Sequence, residues 1–135
     1  MNLDQILAVS RMPGLYRLVT TRNNGLVIED MDTGRRTFVS IRKHQFTPLQ
    51  SVAIYTYGDT TEIQQIFQAM IDQRGQNPVP SPNDAADELH VYFRKILPDY
   101  NEDRVFVSDI KKIIKWFQFL DERNLFNETA SDEEE

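Results

Sequence analysis

PGLYRLVTTRNNGLVIEDMDTGRRTFVS, residues 13–40, decides the reading of the N-terminal half. Leu15 to Thr21 is rich in β-branched, aromatic and aliphatic residues, and Leu26 to Met31 repeats that character. Asn24-Gly25 between them predicts a hairpin turn, because both residues tolerate positive φ. Asp32-Thr33-Gly34 turns the chain again, into a third strand from about Arg36 to Ile41. Three short strands joined by tight turns form an antiparallel sheet with little else nearby in sequence to cover it.

Working outward, SVAIYTY at residues 51–57 predicts a fourth strand, reached through Gln45-Phe46-Thr47-Pro48. Four short strands fit a small, strongly curved antiparallel sheet of SH3-like half-barrel type, which buries one face by curling. A plain meander with helices packed on one face is the alternative. Upstream, NLDQILA at residues 2–8 predicts a short helix, since Leu3, Ile6 and Leu7 share a helical face and Asn2 can cap it. Downstream, Gly58-Asp59-Thr60 opens a helix. Thr61 and Gln64 stand at capping-box spacing, and Ile63, Ile66, Phe67, Met70 and Ile71 form one stripe.

RGQNPVPSPN, residues 74–83, holds three of the six prolines and has no hydrophobic periodicity. It predicts a linker. Beyond it, Asn83 or Asp84 caps a helix from about Asp84 to Leu97, with Ala85, Leu89, Tyr92, Phe93 and Ile96 facing inward and Pro98 ending it. Val105-Phe106-Val107 is a short β-type run, and Ser108 caps a last helix from Asp109 to about Arg123. In that helix Trp116 and four other apolar residues occupy an arc of about 160° around Ile110, while Phe119 projects opposite, beside Lys112 and Lys115. The organisation expected is a β-rich domain with a flanking helix (1–73), a linker (74–83), a helical domain (84–127) and a disordered acidic tail (128–135). The fold class is α+β.

Composition narrows the chemistry. The chain of 135 residues has no cysteine, which removes disulfides, thiolate metal sites and thiol nucleophiles together. It has no apolar run long enough to span a bilayer and no signal-peptide pattern at its start, so a cytoplasmic setting is expected. No glycine-rich phosphate loop and no nucleophile elbow occur. His44 and His90 stand in no metal-ligand spacing: His44 is expected to be solvated and His90 to pack at a helix boundary. Asp99 to Asp103 looks superficially like a calcium loop but lacks its acidic register, and an inter-helix turn is the better reading. No catalytic residue, metal site or cofactor is assigned.

The net charge of −6 is unevenly placed. Residues 1–73 carry seven basic and seven acidic side chains, whereas the last eight residues alone carry −5. Two basic surfaces stand out as candidates for interaction. Arg35, Arg36, Arg42 and Lys43 bracket the third strand, with Glu29, Asp30 and Asp32 close enough in the hairpin to balance them. Lys112, Lys115 and Phe119 share the outer face of the last helix, where Phe119 is either covered by Leu125-Phe126 or offered to a partner.

PGLYRLV, NGLVIEDMD followed by RRT, VAIYTY, and YFRKILPDYNEDRVFVSDIKKIIKWF together resemble a family of small Bacteroidota proteins. Its members have an N-terminal β-rich domain of unknown function and a C-terminal helical one, also of unknown function. PDYNEDRVFVSDIKKI is the most specific part, because hydrophobic patterning alone would not produce it. The resemblance implies a two-part architecture and supplies no activity or catalytic residue. Acidic groups ahead of Val105 and a Ser108-Asp109 cap read as a clasp that fixes the last helix, with Arg104 expected to pair with Asp99 or Glu102. The function expected is a non-enzymatic binding or adaptor module for a protein partner. A nucleic-acid-binding accessory protein is the alternative, and an enzyme ranks third.

Overall fold

The computed structural model describes residues 3–126. The acidic tail expected at 128–135 lies outside them. The chain is α+β: seven strands, then three helices, dividing into two compact units at Val52/Ala53.

The first unit is a five-stranded antiparallel sheet. Its strands are β1 (Ile6–Val9), β2 (Tyr16–Arg22), β3 (Gly25–Asp30), β4 (Arg36–Ser40) and β5 (Phe46–Pro48), in the order β4-β3-β2-β1-β5. The expected N-terminal helix is instead β1, paired with β2 on one side and β5 on the other. Leu3, Ile6 and Leu7 fit a helical face, but a run this short has no decisive period. A central strand buried on both sides satisfies Ile6, Leu7 and Val9 together. A positive φ at Gln5 turns the chain into this strand. Leu7, Val9, Ile28 and Val39 form the core of one sheet face, with Tyr16, Leu18, Leu26 and Phe46 packed around them.

The central hairpin forms where expected, but its turn sits one residue early. Arg22 pairs with Gly25, leaving Asn23-Asn24 as the loop, and none of Asn23, Asn24 and Gly25 has a positive φ. Gly25 is required for another reason. It lies opposite Ser40 on β4, and a Cβ there would come within 2.1 Å of the Val39 carbonyl oxygen and 2.7 Å of the Phe38 ring. The next turn follows expectation: Gly34 takes φ +75°, and one carboxylate oxygen of Asp30 accepts from the backbone N–H groups of Asp32 and Thr33. His44 is half-buried rather than solvated; its Nδ1 lies 2.8 Å from the Ser10 carbonyl oxygen and donates to it, adjoining the β1–β5 ladder.

The strand expected as the fourth of the first sheet instead opens the second unit. There β6 (Ala53–Tyr55) forms a separate hairpin with β7 (Thr60–Glu62), while the expected connection at 45–48 supplies β5. Helices α1 (Ile63–Asp72), α2 (Ala86–Ile96) and α3 (Val107–Glu122) follow. Residues Thr60 to Glu62, expected in the first turn of α1, are β7, and the helix starts without a side-chain cap. The boundary expected at 73/74 is corrected to 52/53. Helix α1 carries an apolar stripe of Ile63, Ile66, Phe67 and Met70, and Phe67 packs its ring 6.1 Å from Phe117 of α3. That stripe needs the other helices, so α1 folds with them. The Pro-rich segment therefore connects two helices of one core. It has no regular structure, but Gln118 of α3 donates to the Pro80 carbonyl, and Gln73 donates to the Lys95 carbonyl at the end of α2.

Gly25→Ala is expected to destabilise the protein by about 1–3 kcal/mol through overpacking against β4. Gly58→Ala, where an added Cβ meets nothing within 4 Å, should stay within about 0.5 kcal/mol of wild type. Chemical unfolding of the two variants checks the contrast.

Candidate functional site

The sequence-specific stretch at 99–109 is where the second unit is drawn together. Its backbone extends the β6–β7 hairpin: Asn101 N–H donates to the Tyr55 carbonyl, Tyr57 N–H donates to the Asp99 carbonyl, and Thr56 bridges Tyr100. Pro98 releases the chain from α2 at the point where this pairing begins. Tyr100 is 1% exposed, with its ring edge-on to Phe93 at 5.0 Å and stacked on His90 at 6.1 Å. Its hydroxyl is hydrogen-bonded to His90 Nδ1 at 2.8 Å. Burial pushes the Tyr100 phenol above its ordinary pKa, against the opposing pull of the Arg94 charge. His90 thus has the boundary role its sequence position suggested.

Past Tyr100 the chain turns outward. Arg94 of α2 pairs with Glu102, and that hydrogen bond holds the guanidinium pKa above its usual value. Val105 is buried, and the β-type run expected at 105–107 is the entry to α3. Phe106, not Ser108, occupies the cap position. Asp109 reaches back with its carboxylate to the Phe106 N–H at 2.9 Å, satisfying a backbone donor that the helix leaves open. The clasp reading accounts for the Asp109 bond, but the acid–base pair is formed by Arg94 rather than by the expected Arg104.

Around the clasp lies the most exposed apolar surface of the unit. Tyr57 is 64% exposed, Phe106 62% and Tyr55 46%, and the Arg104 guanidinium stacks over the Tyr55 ring at 5.1 Å. A shallow open groove of about 430 Å³ runs beside α2, lined by Asp87, His90, Val91, Arg94 and Glu102. Sequence reasoning assigned Tyr55 to the N-terminal sheet and missed Tyr57, because β6 alternates like any half-buried strand. Only the pairing of 99–101 shows which side of it stays open. Among the described residues no group of three or more His, Asp or Glu side chains is arranged to hold a metal ion.

The residues singled out from sequence fall on both units. Arg35, Arg36, Arg42 and Lys43 are all exposed in the first, and Arg36 forms the expected cross-strand pair with Glu29 at 3.2 Å. Lys112 and Lys115 are exposed on α3. Phe119 is half-buried: the Arg123 guanidinium lies 3.6 Å from its ring centroid and donates to its carbonyl. Trp116, at the rim of the apolar arc, is half-buried rather than in the core.

Residues 52–120 match the family described as Domain of unknown function (DUF6852), and residues 3–49 match Domain of unknown function (DUF5606). The two matches meet where the chain divides. A protein of Bacteroides vulgatus, solved by solution NMR, is similar at 31% identity and a TM-score of 0.70, over 88% of this chain and 85% of that one. No curated protein matches the chain.

Two tyrosines of α2 and the clasp generate opposite expectations. Tyr100→Phe removes the partner of His90 and should cost about 0.5–1.5 kcal/mol. The Tyr92 hydroxyl is buried with no hydrogen-bond partner among the described residues, and burial pushes its pKa up to about 12. Tyr92→Phe should therefore leave stability at neutral pH unchanged or higher. Because the folded phenol holds its proton longer than the ordinary value of 10.0 allows, its share of stability is complete below that pH and is lost as pH rises to about 12. Unfolding curves between neutral pH and that range should show a smaller alkaline loss in Tyr92→Phe than in wild type.

Proposed function

The chain belongs to the family of the domain of unknown function DUF6852, and for this member we propose a non-enzymatic role as a binding module for a protein partner. The observation that carries the reading is the exposure of three aromatic side chains of one unit, Tyr55, Tyr57 and Phe106, with Arg104 laid over Tyr55. Tyrosine and arginine on a rigid support are the side chains that dominate binding energy at protein interfaces. Here the support is rigid for a stated reason: the backbone beneath both tyrosines is hydrogen-bonded to residues 99–101. Such a surface needs little ordering when a partner docks, which keeps the entropic cost of association low.

The adjoining groove offers a polar margin of Asp87, Arg94 and Glu102 beside the apolar Val91. An apolar centre with a polar edge is the usual anatomy of a specific, dissociable interface. In the same reading the first unit is an SH3-like half-barrel. Its support is the pairing of β5 back onto β1 and the irregularity between Leu18 and Thr20, where β2 gains a residue over β3.

The test is quantitative capture of partners from nuclease-treated native lysate, using wild type and a Tyr57→Ser/Phe106→Ser variant. Both side chains are exposed and serine suits the cap position of α3, so the variant should fold no more than about 0.5 kcal/mol less stably than wild type. A specific protein partner retained by wild type should be lost by the variant, with a binding penalty of more than about 2 kcal/mol when the purified pair is titrated. Equal capture by both proteins overturns the reading.

A further inference from the structure

We infer that the outer face of the β2-β3-β4 sheet binds single-stranded nucleic acid, with Phe38 as a base-stacking platform and arginines on either side of it. This goes beyond the protein-binding reading and rests on the other unit of the chain. The division at 52/53 changes the electrostatic argument. Asp59, Glu62 and Asp72 belong to the second unit and do not balance the arginines of the first. The described residues of the first carry seven basic side chains against only Asp4, Glu29, Asp30 and Asp32, a net charge of +3. Of those four acids, Asp30 is spent on the turn, where its carboxylate accepts two backbone N–H groups.

The strand register places the side chains. Opposed residues of an antiparallel pair point to the same face. Ile28 and Val39 are buried in the core, so the alternate positions form the outer face. One row there joins Arg17, Glu29 and Arg36; the next joins Thr20, Val27 and Phe38; the last joins Arg22, Gly25 and Ser40. Phe38 is 46% exposed in the middle row, and Arg22 and Arg36 are exposed in the rows on either side. Just past β4, Arg42 and Lys43 extend the positive edge. An aromatic ring between cations on an open sheet is what an unpaired base and its phosphates require: the ring takes the base face, Arg22 takes backbone oxygens, and Arg36, paired with Glu29 at 3.2 Å in the free protein, exchanges that carboxylate for a phosphate. A duplex keeps its bases stacked internally and can use only the cations. The missing side chain at Gly25 also has a use, because it lets the Phe38 ring lie over the neighbouring strand.

The test uses full-length protein and fluorescently labelled 12-nucleotide RNA, the same sequence as DNA, and the corresponding duplexes, titrated at 50 and 150 mM salt. The RNA and DNA single strands separate a preference for the 2′-hydroxyl from general single-strand binding. Binding of at least one single strand in the micromolar range at 50 mM salt is expected, weakening steeply at the higher salt. Phe38→Ala should weaken it about 10-fold or more, and Phe38→Trp should retain it. Arg22→Gln/Arg36→Gln should weaken it and flatten the salt dependence, whereas Lys112→Gln/Lys115→Gln on α3 should leave it unchanged. Circular dichroism confirms that each variant is folded. No single-strand binding below about 1 mM, equal affinity for duplex and single strand, or indifference to both Phe38→Ala and the arginine pair overturns the inference.

Discussion

The second unit depends on one short stretch of backbone pairing, the hydrogen bonds between residues 55–57 and 99–101. A two-stranded hairpin such as β6–β7 has marginal stability alone. Adding a third extended segment gives β6 partners on both edges and plants the Tyr100 ring beside Phe93. The same pairing sets where α2 ends and where α3 begins, since residues 97–106 are all that joins them. Exposed Tyr55 and Tyr57 are therefore a by-product of a ladder whose buried alternates are Ile54 and Thr56.

The first unit solves a different problem. A sheet of short strands has too little area to bury on its own, and β1 makes up the shortfall by contributing Leu7 and Val9 to its core. Its pairing with β5 returns the end of the sheet to its beginning, and the Ser10–Gln45 backbone bond lies just beyond that ladder. Asp30 contributes on two levels. Its backbone N–H bonds to the Arg35 carbonyl while its carboxylate holds the turn between β3 and β4. A residue that looks from sequence like a counter-charge for arginine is thereby engaged in shaping the backbone.

Much of this architecture was legible in the sequence, and the misses have physical causes. The hairpins at Arg22–Gly25 and Asp30–Arg36 could be read because their turn residues are chemically distinctive. The helices α2 and α3 could be read because an apolar stripe over eleven or sixteen residues has an unambiguous period. The strands β1, β5 and β7 were not legible, as three or four residues carry no period and pairing partners decide their state. The domain boundary failed for a related reason. Prolines mark where a helix stops, but not whether the helices on either side share a core. The arginines of the candidate surfaces were visible one by one, yet the row that places Arg36 across from Glu29 and Phe38 across from Val27 exists only in the register.

The Pro-rich stretch at 74–83 has a practical consequence for anyone dissecting the protein. It has the composition of a hinge and invites a cut, but α1 before it and α2 after it belong to one hydrophobic interior. A fragment ending at Gln73 would carry Ile63, Ile66, Phe67 and Met70 with the aromatic partner Phe117 removed, a recipe for insolubility rather than for an isolated domain. The fragment starting at Asp84 would be left with a groove where α1 belonged. Nicking the same stretch in the intact protein is another matter, since the two pieces would keep their mutual apolar surface and stay together. Breakable in sequence and indivisible in space, this segment is a natural place to insert a reporter.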